Sequence, residues 1–226
     1  MLFDLFRGGF TMELVLKLCA RLFVVFCVAP IHEFAHALVA HKLGDDTARL
    51  SGRLTVNPLA HIDPIGALMI MLVGFGYLKP VPVNPRNFKN PKGGMALTAL
   101  AGPASNLIMA LIFTFCFCGI YKFSNVVSGT IAYSIAYFFM YASQVNISLA
   151  VFNFIPVPPL DGSRIISVVI PEKYYFGIMK YERYIVLGVL LLVVIGVLDR
   201  PMAIASGAIS SLFLKLGAAL FRIPLT

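Results

Sequence analysis

Long apolar runs separated by short polar stretches set the layout of the chain. The first, residues 22–41, is about 20 residues long, enough to span a bilayer. Runs of similar character follow at 94–121, 130–155 and 184–198, and 201–222 reads as a last span or a helix lying on the surface. Residues 65–78 are also apolar, but short for a crossing and interrupted by Gly66, Gly74 and Gly76. Ahead of the first run, Glu13, Lys17 and Arg21 recur every four residues, an ion-pair ladder along one side of a helix. The alternation Leu50-Ser51-Gly52-Arg53-Leu54-Thr55-Val56 predicts a strand. A turn-rich stretch over 57–64 and a proline- and lysine-rich loop over 79–94 follow. Residues 156–162 cannot be helical throughout, and 172–183 are charged and aromatic in the manner of an interfacial anchor. The pattern predicts an all-α polytopic membrane protein of about five to six transmembrane helices with a short membrane-associated β or re-entrant segment. One transmembrane domain over 1–226 is expected, with its core at 22–170 and C-terminal helices at 184–222.

Composition agrees. Of 226 residues, 59% are hydrophobic and 12% charged, and the mean hydropathy of +0.89 excludes an ordinary soluble domain. The net charge of +8 therefore concerns topology and anionic lipid, not nucleic acid. Cys19, Cys27, Cys116 and Cys118 lie in apolar segments without a C-x-x-C pair, which indicates neither a disulfide framework nor a thiolate metal site. The N-terminus is not expected to be a cleaved signal peptide, because cleavage near Ala29-Pro30 would cut into the most informative stretch of the chain.

That stretch holds His32-Glu33-Phe34-Ala35-His36, an H-E-x-x-H. Four-residue spacing on a helix puts both imidazoles on one face, able to hold one ion, with Glu33 placed to take a proton from water there. Ionisable residues in an apolar helix are depleted unless they serve a function. The alternative is a buried Glu–His polar cluster that glues helices together.

A catalytic zinc needs three protein ligands and an open position. Few of the ten acidic residues are suitably placed, most being in loops with basic neighbours. Asp161 differs, since an apolar, proline-rich break precedes it at the end of a span, and irregular backbone at membrane depth belongs where it lines a cavity. It could instead cap a helix starting at Gly162. His61 and Asp63 are further ligand candidates, although beside Pro64 such residues ordinarily order a turn.

Three blocks in this order resemble the site-2 protease family of intramembrane zinc metalloproteases in its short prokaryotic form, without PDZ or CBS domains. They are His32-Glu33-Phe34-Ala35-His36, Gly102-Pro103-Ala104-Ser105-Asn106, and the run from Asn153 to Gly162 that ends Pro158-Pro159-Leu160-Asp161-Gly162. The resemblance implies one zinc per chain on His32, His36 and Asp161, with Glu33 as general base and Asn106 holding the substrate or its oxyanion. It also implies that Gly74, Phe75 and Gly76 belong to a re-entrant β segment gripping an unwound substrate, where otherwise a plain short helix would pack closely through its glycines. The expected reaction is hydrolysis of peptide bonds in or near transmembrane segments of other, for instance single-span, membrane proteins. A separate regulatory protein is a possible partner. Two other readings are a divalent-cation transporter, which should show ligands along a continuous polar path, and a catalytically silent scaffold, which need not keep Glu33.

Making the blocks meet sets the topology. The start of the 94–121 span and the end of the 130–155 span share a side, because two crossings restore it, so residues 65–78 should dip in and return. Lys42, Arg49, Arg53, Lys79, Arg86, Lys89, Lys92, Arg164, Lys173, Lys180 and Arg183 then gather on the site's side, which the positive-inside rule places near the cytoplasm. Arg7, Lys17 and Arg21 run against that assignment.

Overall fold

The computed structural model describes residues 11–66, 68, 79–123, 129–171, 174, 177–178 and 180–224. Among these the secondary structure is helical, without strands. Helix α1 (Met12–Phe23) begins at Thr11, whose hydroxyl accepts the Leu14 N–H. Along it Lys17 pairs with Glu13 at 2.6 Å, as the four-residue ladder predicts. A π-helical turn, Val24–Val28, leads directly into α2 (Ala29–Lys42). Pro30, at the start of α2, has no N–H and would crowd the carbonyl four residues back. In the π turn the Ala29 N–H reaches the carbonyl of Val24, five residues back. The first apolar run is thus the later two thirds of a 31-residue helical run, Met12–Lys42.

Two short helices, α3 (Thr47–Leu50) and α4 (Pro58–His61), lie in the polar stretch after α2. The strand expected over 50–56 does not form. Leu50 closes α3, Gly52 turns the chain at φ +69, and the Arg53 N–H returns to the Ala48 carbonyl at 2.8 Å. Alternation of apolar and polar residues makes a strand only where a partner edge is offered, and local turns take these backbone groups first. Beyond the loop, a 3-10 turn at Pro85–Asn87 precedes α5 (Pro91–Phe123), and α6 (Gly129–Asn153) follows. The short α7 (Asp161–Ile166), α8 (Glu182–Ile195) and α9 (Asp199–Phe221) complete the described chain.

Four helical segments are long and apolar enough to cross a membrane: Met12–Lys42, Pro91–Phe123, Thr130–Asn153 and Asp199–Phe221. Helix α8 has 14 residues, about 21 Å, against a hydrocarbon thickness of about 30 Å. Of the segment expected to re-enter, residues 67 and 69–78 lie outside the described residues, and with them Gly74, Phe75 and Gly76.

Helix α5 is the hub. It packs along α6, against α2 and α7, and with α6 against α9, while α1 lies on α6. Small side chains allow close approach, with Ala20, Ala110, Ala136, Ala142 and Ala150 fully buried. Around Ala20, Val24, Val28, Phe113 and Ala142, aromatic rings fill the remaining space. Phe23 stands 5.6 Å from Phe113 and 5.5 Å from Phe138, centre to centre. Thr114 and Ser143 meet at 2.8 Å, one hydroxyl donating to the other and the second to the Ala110 carbonyl that both reach, a polar tie between α5 and α6. This packing fixes α2 and α5 side by side, which is what the site requires.

Candidate metal centre

On α2 the two imidazoles of the H-E-x-x-H converge, with their Nε2 atoms 3.0 Å apart. The rings are nearly perpendicular, at 84°. On the far side, the Nδ1–H of His36 donates to the Thr98 carbonyl on α5 at 2.7 Å. That bond fixes the tautomer and leaves a lone pair on the His36 Nε2.

Asp161 completes the corner. It is the first residue of α7, and its Oδ2 lies 3.3 Å from the His32 Nε2 and 3.4 Å from that of His36. The side chain faces the imidazoles and does not cap its own helix. Two glycines make this possible. A Cβ on Gly162 would collide with the carbonyls of Phe154 and Ile155, so the return from α6 into α7 is tight enough only for glycine. A Cβ on Gly102 would run into the Nε2 atoms of both His32 and His36. The glycine that opens the second sequence block is therefore the floor under the imidazole pair, a role that the block alone did not reveal.

The triangle of donor atoms, with sides of 3.0, 3.3 and 3.4 Å, fits a metal. Donors about 2.0–2.1 Å from a tetrahedral zinc stand about 3.3 Å from one another. Two imidazoles and one carboxylate also match the donor set of catalytic zinc. Among the described residues, His32, His36 and Asp161 are the group that could hold such an ion.

Glu33 is buried beside this group. One of its oxygens accepts the Val81 N–H at 3.3 Å, and the other has no partner among the described residues. Asn106 on α5 is also buried, and its amide makes no hydrogen bond to the described residues. Both side chains line one cavity of about 440 Å³ together with the three candidate ligands. Apolar side chains supply most of the remaining wall, including Val81, Leu149, Phe152 and Leu160.

His61 and Asp63 do not join them. The His61 Nε2 contacts the Thr55 carbonyl at 2.7 Å, and Asp63 accepts the N–H groups of Ile65 and Gly66 at 3.0 Å. Both order turns, the ordinary use of such residues.

Asp45 escaped the sequence reading as one loop acidic residue among several. It is fully buried and accepts the N–H of Thr47 at 3.1 Å, that of Asn84 at 2.7 Å and the Asn87 side-chain amide at 2.7 Å. Its burial pushes the carboxyl pKa up, but these bonds and the Thr47 hydroxyl outweigh that and hold it below the usual carboxylate range. The knot ties the loop after α2 to residues 84–87 and so steadies Val81, three residues earlier, against Glu33.

Comparison with known proteins agrees with this geometry. Residues 20–196 match the model of peptidase family M50. The chain is 42% identical over 154 residues to YwhC of Bacillus subtilis, which is named as a zinc metalloprotease, covering 68% of this chain and 70% of that one. It is 28% identical to Rip2 of Mycolicibacterium smegmatis over 58% of this chain and 50% of Rip2, and 29% identical to MJ0611 of Methanocaldococcus jannaschii over 60% and 63%. Those names too are of zinc metalloproteases, and the matches span half of Rip2 and under two thirds of MJ0611. No solved structure matches. With its apolar helices and its imidazole–carboxylate corner, the chain belongs to peptidase family M50, the zinc metalloproteases of the membrane.

Proposed function

We propose that this protein hydrolyses peptide bonds in or near transmembrane segments of other membrane proteins, with single-span proteins as the simplest substrates. The observation that carries the proposal is the donor triangle set beside an unpaired Glu33 oxygen in an apolar cavity between span-capable helices. His32, His36 and Asp161 would hold one zinc. When bound, that ion supplies Lewis acidity to the scissile carbonyl and to the attacking water.

The other steps belong to the chain. Glu33 takes the proton of the attacking water on the oxygen that Val81 leaves free, and returns it to the leaving amine. The Val81 N–H holds the second oxygen in place, so the base keeps its aim throughout. Asn106, uncommitted in the structure, turns its amide to donate to the oxyanion as it forms. Apolar walls exclude bulk water and accept the substrate's side chains.

In the full arrangement α8 joins the four long segments towards the five to six transmembrane helices expected, and residues 65–78 add a short membrane-associated β or re-entrant segment. The latter would dip in and return, presenting Gly74, Phe75 and Gly76 to the extended substrate. Hydrogen bonds from Asn84 and Asn87 to Asp45 support a return to the same side. The basic residues of these loops support, by the positive-inside rule, a site near the cytoplasm of a multi-pass protein in the cell membrane. In a cysteine-free background, cysteines at Thr47 and Lys89 should label from one face, and labelling from opposite faces would refute the re-entrant arrangement. All of 1–226 acts as one transmembrane domain in the lipid bilayer, open to control by a separate regulatory protein.

The deciding experiment incubates purified protein with a panel of single-span substrates and compares wild type with Glu33→Gln. Cleavage by the wild type, lost in a variant that still binds zinc, is the expected result. Equal turnover by both would overturn the assignment. A cation transporter is not favoured, because among the described residues the candidate ligands gather at one corner and not along a path.

A further inference from the structure

The cavity holds one more charged side chain that the proposed chemistry leaves idle. Arg164 lies on α7, three residues after Asp161, and lines the same cavity. Leu160 and, from α8, Val186, Val189 and Leu190 are among the apolar side chains that line that cavity with it. Three-residue spacing would allow an ion pair with Asp161. None forms: the Asp161 carboxylate is turned to the imidazoles, and the Arg164 guanidinium has no hydrogen-bond or ion-pair partner among the described residues. It is half-buried, so part of its hydration is lost without a protein group in compensation. The two other charged groups of the cavity, Glu33 and Asp161, are committed to the base and ligand positions.

We infer that Arg164 forms an anion-binding subsite of the cavity, which takes a carboxylate of the substrate close to the scissile bond. A guanidinium offers parallel N–H donors in a plane and matches a carboxylate with two bonds, whereas a lone peptide carbonyl would satisfy one donor and bring no charge. The carboxylate can come from an acidic side chain or from a free chain terminus. Its position follows from that of Arg164, one helical turn from a candidate ligand: the anion sits within a few residues of the cut, at the end of an otherwise apolar substrate segment. The subsite rests on the protease reading, since it concerns what the same cavity accepts.

The test uses the full chain in lipid vesicles and one single-span substrate. A glutamate is placed in turn at each of three positions on either side of the cut, with glutamine and lysine versions of each. A second set carries a free or an amidated C-terminus near the cut. Wild type, Arg164→Gln, Arg164→Lys and Arg164→Glu are compared, with zinc content measured for each. The glutamate substrate should be favoured over glutamine at one position by about ten- to a hundredfold in kcat/KM, carried mainly by KM, the worth of a charge-assisted hydrogen bond. The preference should vanish in Arg164→Gln, persist weakly in Arg164→Lys and turn to lysine in Arg164→Glu. Preference for a free over an amidated terminus, with no side-chain effect, assigns the subsite to the chain terminus. A uniform loss across all substrates in Arg164→Gln, or an unchanged preference, overturns the subsite. Should the variants fail to bind zinc, the wild-type series decides alone, and equal rates with all charges and termini overturn the proposal. Cleavage without charge preference defeats the subsite only, whereas zinc-loaded wild type that cleaves no substrate defeats the protease reading itself.

Discussion

The two sides of the cavity are built in opposite ways. On one, α2, α5 and α7 meet so closely that Gly102 and Gly162 have no room for a methyl group, and His32, His36, Glu33 and Asn106 are all buried. On the other, α8 contributes Val186, Val189 and Leu190 to the wall, yet none of its residues is buried. The difference follows from what each side must do. Metal ligands have to stay within a few tenths of an ångström, so their helices are locked by backbone proximity and by bonds such as that from His36 to Thr98. A wall that receives a hydrophobic segment needs apolar surface, not fixed atoms, and a loosely packed helix provides it.

Substitutions on the two sides should therefore differ in kind. Glu33→Gln should lower kcat by about 10²- to 10⁴-fold with zinc retained, which rate assays paired with metal analysis will show. Asp161→Ala removes one of three candidate ligands and should abolish stoichiometric zinc binding along with turnover. Full zinc occupancy in that variant would break the assignment. Gly102→Ala should push the imidazoles apart and weaken zinc binding by about 10- to 100-fold, read by competition with a chelator.

Asp45→Ala leaves the Asn84 and Thr47 N–H groups without their acceptor and should cost about 2–3 kcal/mol, measured as a loss of thermal stability in detergent. Its pH dependence has a definite sign. The carboxyl is held below its ordinary range, so its contribution is complete above the unfolded pKa of about 4 and fades as pH falls through the lower folded value. Asp45→Asn should accordingly flatten the acid limb of the stability profile. On the loose side, Val189→Ala should change stability by no more than about 0.5–1 kcal/mol. Val189→Phe should raise KM for bulky substrates at unchanged zinc content. A large stability loss at Val189 would contradict the contrast drawn here.

The locked side was the more legible one in the sequence. His32 and His36 are paired by helical spacing alone, whereas Asp161, marked by the prolines before it, joins them across a sequence gap of more than a hundred residues only through the need for a third ligand and the resemblance of the three blocks. What stayed hidden works through the backbone. The Val81 N–H that holds Glu33 could come from almost any residue, and the Thr98 carbonyl that orients His36 likewise has no residue identity to read. Asp45 looked like any loop carboxylate, because its burial depends on a partner loop some forty residues away. The strand expected over 50–56 failed for a related reason: alternation reports the side chains, while the turn at Gly52 and the Arg53 bond to Ala48 decided where the backbone went.

The π turn at Val24–Val28 has a consequence for how this chain can vary in length. One residue advances a helix by about 100° of rotation, and a π turn accommodates one more residue than the α-helical turn it replaces. Upstream, Ala20 and Val24 face the core shared with α6; downstream, His32 and His36 face α5 and α7. The turn acts as a phase adjuster between these two faces of one rod. Because the wide turn absorbs that extra residue, removing one from it, such as Cys27, would return it to α-helical spacing and leave His32 and His36 facing Asp161, whereas adding one would swing the imidazoles about a quarter turn away if α1 held its place. Reading frame along the helix, as much as residue identity, is thus a heritable property of the metal centre, and a one-residue insertion here should be worse tolerated than a one-residue deletion.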